Sequence, residues 1–196
     1  MAERILRHSG REATVCHPPV DVDFFAPAGE PRQDFLLAVG ALVPYKRFEA
    51  AVETASRLRR RLVMVGTGPD EKRLRAIAAP SVEFRPRCSR EELRQLYRTC
   101  AAYLQPGEED FGIASVEAQA CGAPVVALGR GGARDIVRDG ETGVLYEGDG
   151  AKALAEAVQR ADGMKFDYTR LRTSALAFRA ERFAETFRAA LRDLLP

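Results

Sequence analysis

Histidine, lysine and cysteine are scarce in this chain of 196 residues, and each shortage removes a class of chemistry. The four cysteines, Cys16, Cys88, Cys100 and Cys121, show neither close pairing nor metal-ligand spacing. His8 and His17 are too few to complete a zinc site with them, so zinc is not expected. Reduced, mostly buried thiols are the expectation, as in a cytoplasmic protein. No apolar run approaches the ~20 residues of a membrane span, and the N-terminus lacks a signal-peptide core. Charge of one sign is missing too. Thirty Lys and Arg against 28 Asp and Glu leave a net +2, too little to pull in nucleic acid over a distance. Only Lys46, Lys72, Lys152 and Lys165 are lysines, so the cations are mostly arginine. Arginine suits bidentate phosphate contacts, but it also suits an ordinary solvated helix face.

What is present reads as a soluble globular chain, 46% hydrophobic and 30% charged. The length fits one ordinary domain with an appendage, or two very small ones. Residues 1–33 are polar and interrupted by Pro18, Pro19, Pro27, Gly29 and Pro31, the composition of a linker. From Asp34 short apolar runs take over, at 35–39, 62–65, 82–84, 101–104 and 124–128. Most do not alternate, as expected for strands covered on both faces. Helical patterns lie between them, near 47–60, 70–78, 90–98 and 112–121. A further helix is expected at 150–162, and one or two more over 167–195. Strand-helix alternation implies parallel crossovers, hence an α/β fold with a doubly wound parallel sheet.

Such sheets bind ligands beyond the carboxyl ends of their strands, so the strand-to-helix turns are the places to search. The richest runs from Gln105 through Glu108, Glu109, Asp110 and Phe111 to Gly112. A helix starting there would aim its free N–H groups at a diphosphate, and Gly112 adds no side chain to hold it off. On that helix Ser115 and Gln119 share a face, expected to be the wet one. Glu117 lies about 200° from both, pointing among Ile113, Val116 and Ala120. A carboxylate in apolar company needs partners: arginine or backbone amides on the plain reading, ligand hydroxyls on the functional one. Glu109 is either a first-turn charge answering the helix dipole or a contact to sugar hydroxyls. Lys46 and Arg47 bring two cations to the end of the first strand, as a phosphate clamp or as helix-start charges. Gly66 and Gly68 begin a dinucleotide fingerprint, but Asp70-Glu71 stand where its third glycine belongs.

The run from Glu109-Asp110-Phe111-Gly112-Ile113 to Glu117-Ala118-Gln119-Ala120-Cys121-Gly122-Ala123-Pro124-Val125-Val126 resembles the donor-site motif of group 1 retaining glycosyltransferases of the GT-B fold. Its mark is two glutamates separated by seven residues, then small residues and Gly-x-Pro-Val. The resemblance extends over Val39–Arg47, Val65–Pro69, Arg85–Leu93, Gly131–Val137 and Asp139–Val144. It implies a Rossmann-like nucleotide-sugar domain, one half of a GT-B enzyme, with the nucleotide sugar as substrate and no cofactor or protein-bound metal. Glu109, the catalytic candidate, would contact donor sugar hydroxyls and Glu117 the ribose. Lys46 would hold the diphosphate, and Gly112, Ile113 and Ala114 would offer main-chain contacts beside Phe111. Arg87 and Cys88 match the strip that touches the base, and Gly66 and Gly68 belong to the same donor set. The phrasing around 43–47 and 106–112 looks most like mannosyltransferases of polysaccharide assembly, implying GDP-mannose as donor.

The family commonly has arginine where this chain has Ala41, which leaves half the clamp missing unless Arg47 substitutes. Asp135 stands where glutamate is usual. The resemblance divides the chain into 1–33, the linker and remnant of an acceptor domain; 34–165, the nucleotide-sugar domain; and 166–196, a helical segment. Phe178, Phe183 and Phe187 of that segment are expected to face the acceptor domain. A glycan or lipid-linked acceptor would be held by that other domain. The full enzyme is expected in the cytoplasm or at the inner face of the membrane, without a span and without nucleic acid. This chain alone is expected to transfer no sugar, and the rival readings are a sugar-nucleotide-binding module with no catalysis of its own, or one half of a split enzyme.

Overall fold

The structure, a computed structural model, describes residues Ala2–Leu194. In chain order its elements are α1 (Ala2–Ser9), β1 (Phe35–Val39), a 3-10 turn (Pro44–Lys46), α2 (Phe48–Leu58), β2 (Arg61–Val65) and α3 (Glu71–Ile77). They continue with β3 (Val82–Arg85), α4 (Arg90–Thr99), β4 (Ala102–Gln105), α5 (Ile113–Ala120), β5 (Val125–Leu128) and α6 (Ala133–Ile136). The last are β6 (Gly143–Tyr146), α7 (Gly150–Asp162), α8 (Tyr168–Ala175), a second 3-10 turn (Leu176–Phe178) and α9 (Ala180–Leu194). Among the described residues the strands form one parallel sheet in the order β3-β2-β1-β4-β5-β6.

Alternate residues of each strand enter two separate cores, because successive side chains leave a strand on opposite faces. Leu37, Val63, Val65, Tyr103, Val125 and Ala127 face one layer with α4, α5 and α6. Leu36, Ala38, Leu62, Met64, Leu104 and Val126 face the other, with α2, α3 and α7. Both faces are therefore dry, which is why the strand sequences are continuously apolar.

All five sequence-read strands form, and so do the helices expected between and after them. Among the elements that escape the sequence reading are β6, α6 and the turn Pro44–Lys46. α6 has four residues, too few for a helical period to declare itself. β6 is an edge strand that exists through its pairing with β5.

Composition alone misleads at the start of the domain. Residues 18–33 have the prolines of a linker, yet Val20, Val22 and Phe25 are buried to 4%, 2% and 3% exposure in the α4–α5 core. Their non-helical backbone is tied down from elsewhere. The Val20 N–H donates to the Phe178 carbonyl at 2.8 Å, and the Arg172 guanidinium donates to the carbonyls of Val22 and Phe25. Arg32 donates to the carbonyls of Tyr97, Cys100 and Cys121, joining this segment to the ends of α4 and α5. Phe178 likewise faces inward, 8% exposed, and contacts the rings of His17 and Phe111. The expectation that it faces another domain is corrected; Phe187, 46% exposed, is the aromatic left open on α9.

Candidate functional site

Strand order reverses direction at β1, which lies between β2 and β4. The chain leaves β1 toward one side and β4 toward the other, so the two following loops part and leave a crevice. Residues 40–47 form one wall and 106–112 the other, around an open cleft of about 650 Å³. That volume lies within the ~300–1,000 Å³ typical of small-molecule sites.

Lys46 and Glu109 meet across this crevice, with Nζ 2.8 Å from Oε1 and side chains only 13% and 22% exposed. Each is held from behind. Lys46 sits at the end of the Pro44–Lys46 turn, beside Gly40, where an added Cβ would come within 3.2 Å of its Nζ. The Glu109 carbonyl accepts from the Gly132 N–H at 2.8 Å, so the loop before α6 fixes the Glu109 backbone.

α5 starts at the cleft floor with Gly112 as its N-cap, at φ 108, and no side chain caps it. That φ is left-handed, and a Cβ here would fall 2.7 Å from the Gln105 Oε1. Only glycine fits without strain. α4, by contrast, carries a full capping box in which Ser89 and Glu92 satisfy each other's backbone N–H groups. The two helices of one layer thus begin differently: α4 is closed by its own side chains, and α5 presents its first amides and positive dipole end to the cleft.

Glu117 lines the same cleft from the second turn of α5. Its Oε2 accepts from the hydroxyl of Tyr97, 3.0 Å away on α4. Burial pushes its carboxyl up to about 7; the Tyr97 hydrogen bond and the charge of Arg90 pull it back, and Asp21 pushes the same way as burial. Glu117 is partly buried and lines the cleft together with Ile113 and Ala114, while Val116 and Ala120, read as its company, lie in the core.

The face assignment for Ser115 and Gln119 is corrected: both are fully buried. α5 packs against the sheet, α4, α6 and α8, and these two side chains are enclosed even though Glu117 of the same helix opens on the cleft. Ser115 instead donates to Gln105, and Gln119 donates to the Thr142 hydroxyl at 3.0 Å. Ile113, read as an inner residue, is 48% exposed at the cleft rim.

Of the residues singled out from sequence, Lys46, Glu109, Phe111, Gly112, Ile113, Ala114 and Glu117 converge on the cleft. Arg47 does not. It has φ 53 between the 3-10 turn and α2, and its guanidinium is bound to Asp149 before α7, so it leaves the place opposite Ala41 unfilled. Gly66 and Gly68 lie one loop away and serve close backbone packing: a Cβ on them would fall 1.9 Å from the Gly40 oxygen and 2.3 Å from the Leu42 oxygen. Arg87 is exposed on the β3–α4 turn. Cys88 beside it packs partly against the core, and burial raises its thiol pKa. Tyr97 and Tyr45 were missed. Nothing in the α4 sequence tells that the Tyr97 hydroxyl meets Glu117, because the contact joins two helices.

The model of "Glycosyl transferases group 1" matches residues 21–171. A D-inositol 3-phosphate glycosyltransferase of Mycobacterium sp. (strain KMS) is 36% identical over 68% of this chain and 36% of its own length. Among solved structures, a lipopolysaccharide outer core galactosyltransferase in its apo form superposes with a TM-score of 0.82 at 20% identity, covering 99% of this chain and 60% of the other. Anabaena HepE in complex with UDP and glucose gives 0.81 at 18% identity, over 98% and 60%. The chain spans between about a third and a half of the length of the curated relatives it matches. A family match across the sheet, both cleft loops and α5, on a doubly wound domain of the GT-B type, places this chain among the group 1 glycosyltransferases.

Proposed function

We propose that the crevice between the β1 and β4 loops binds the diphosphate and sugar of a nucleotide sugar, and that the chain supplies the donor site of a retaining hexosyltransferase. The observation that carries this reading is the Lys46–Glu109 pair standing over the uncapped start of α5. An ion pair with both partners mostly shielded from water contributes little net stability, since desolvation offsets much of the attraction. It is a good exchange site, however. A diphosphate entering the cleft competes with Glu109 for the Lys46 ammonium and gains the first amides of α5. Glu109 is released as an acceptor for sugar hydroxyls, while Glu117 takes a ribose hydroxyl.

In the transfer step the bond from the anomeric carbon to the diphosphate oxygen breaks, and its electron pair leaves with the nucleoside diphosphate. The acceptor hydroxyl oxygen bonds the same carbon, and its proton passes to the departing diphosphate oxygen. Lys46 and the α5 dipole meet the charge developing on the leaving group, the largest electrostatic demand of the step. Retention of configuration rests on the sequence resemblance, and NMR of the product anomer tests it.

The base is expected along the β3–α4 turn, near Arg87 and Cys88. The mannosyl reading, with GDP-mannose as donor, rests on the phrasing of residues 43–47 and 106–112. A uridine donor is the second reading, favoured by the UDP bound in Anabaena HepE. The acceptor, a glycan or lipid-linked hydroxyl, is assigned to the other half of such enzymes. Calorimetry of this chain with GDP, GDP-mannose, UDP, UDP-glucose and NAD tests the proposal, with and without chelator. Micromolar to millimolar binding of one sugar-nucleotide pair is expected, unaffected by chelator. Binding of NAD alone, or of nothing at millimolar concentration, would refute the donor site.

A further inference from the structure

The cleft carboxylate Glu117 is held by a residue that never reaches the cleft. Tyr97 is fully buried on α4, and its ring is wedged edge-on between Phe25, at 5.7 Å, and Tyr103, at 5.9 Å. Its main chain is fixed as well, because its carbonyl accepts from Arg32 at 2.7 Å. A side chain locked in this way has little freedom to spend on its one polar atom, and that hydroxyl donates to Glu117 Oε2 at 3.0 Å. Glu117 is in turn a lining residue of the cleft. A carboxylate has two oxygens and can accept at both.

The geometry points to Tyr97 as the positioning residue of the donor site: it pins one oxygen of Glu117 so that the other faces the ribose. This assignment rests on the donor-site reading of Glu117 and adds to it the device that aims the carboxylate. A tyrosine hydroxyl suits the task. It is a single directional donor, and burial together with the nearby Glu117 raises its own pKa far above the usual value, so it stays protonated throughout the working range.

The same hydrogen bond acts on the charge of Glu117. Burial favours the neutral acid, and Tyr97 opposes this by bonding the ionised form. The other groups facing Glu117 are Arg90 on α4, which also favours ionisation, and Asp21 on the incoming segment, which opposes it. Asp21 is itself bound to Arg90 at 2.6 Å, so the two largely cancel. Tyr103 on β4 and Cys121 after α5 are neutral neighbours with raised pKa values. Lys46 and Glu109 share the cleft but are paired with each other. Tyr97 is therefore the strongest influence holding the charged form of Glu117.

Tyr97→Phe keeps the ring packing and deletes only the hydroxyl. Carbon NMR of the Glu117 carboxyl, titrated in the whole chain without ligand, should show its midpoint moving alkaline in the variant. Calorimetry with UDP and GDP should show affinity falling about three- to tenfold near pH 7, with the loss shrinking as the pH rises toward 9. In a Glu117→Gln background the same substitution should leave affinity unchanged. An unmoved carboxyl titration, or an equal loss of affinity with and without Glu117, overturns the positioning role. If Glu117→Gln itself leaves nucleotide affinity intact while the titration moves in Tyr97→Phe, the ribose reading of Glu117 fails and the hydrogen-bond assignment stands.

Discussion

Glu109 and Glu117 line the same cleft, and the fold treats them oppositely. Glu109 sits on a loop and is neutralised by an ion, Lys46, at 2.8 Å. Glu117 sits on a helix, has a neutral phenol for its partner, and is pushed by burial to about 7. On the proposed donor-site reading the first arrangement is easily opened, with an incoming anion replacing Glu109 on the lysine and a sugar hydroxyl replacing the lysine on Glu109. The second is costly to keep, because a poorly solvated carboxyl lies beside apolar walls with only one strong donor. Charge balance by an exchangeable partner suits a group that must let go; balance by a fixed hydrogen bond suits a group that must stay aimed.

The largest expected effect exposes that cost. The folded-state pKa of Glu117 is raised from 4.5 to about 7, so the fold binds this proton more tightly than the unfolded chain does. The stabilisation is complete below 4.5 and is lost as the pH rises through 7. At about 1.4 kcal/mol per unit, ionisation of Glu117 costs of order 3 kcal/mol at pH 8. Glu117→Gln should recover about that amount at pH 8 and almost nothing at pH 4, measured by urea unfolding at both values. Equal changes at the two pH values would erase the contrast with Glu109.

The same substitution should weaken binding of the nucleoside diphosphate, as the ribose contact is charge-assisted and worth roughly 1.5–3 kcal/mol, or tenfold and more. Titration calorimetry with UDP and GDP measures this. A variant that is stabler but binds less well marks a residue kept for function.

Lys46→Met should cost somewhat less, about tenfold for both nucleoside diphosphate and sugar nucleotide, since the α5 amides remain. If it leaves affinity unchanged, the diphosphate does not sit over the β1 loop. Smallest, and opposite in sign, is Glu109→Gln. Freeing Lys46 of its partner should tighten UDP or GDP two- to fivefold, a gain within the ~0.2–1 kcal/mol of a partly exposed pair. The sugar nucleotide, which loses its hydroxyl contact, should bind no better than before. Parallel losses for both ligands would show that Glu109 serves the nucleotide and not the sugar.

Much of this architecture was legible before any coordinates. Continuous apolar strands alternating with amphipathic stretches imply a parallel sheet covered on both faces, whichever residues fill it. The position of Lys46 and Glu109 at the ends of their strands marks the ligand side of such a sheet. What escaped were contacts between elements distant in sequence. Residues 18–33 read as linker because proline excludes helix, yet Arg172 donates to the carbonyls of Val22 and Phe25 from across the domain, and Arg32 donates to those of Tyr97, Cys100 and Cys121. Ser115 and Gln119 read as wet because a lone amphipathic helix would expose them, whereas in the fold both are fully buried, bonded to Gln105 of β4 and to Thr142 before β6.

By itself, the sequence determined the class of fold, the turns that matter and the pair of glutamates, because periodicity and glycine placement act over a few residues. Only the tertiary structure decided that Lys46 meets Glu109, that Arg47 goes instead to Asp149, and that Tyr97 is what holds Glu117. Those choices depend on which surfaces come together when α4, α5 and the β1 loop settle on the sheet, and no local pattern encodes a contact between side chains 20 to 102 residues apart.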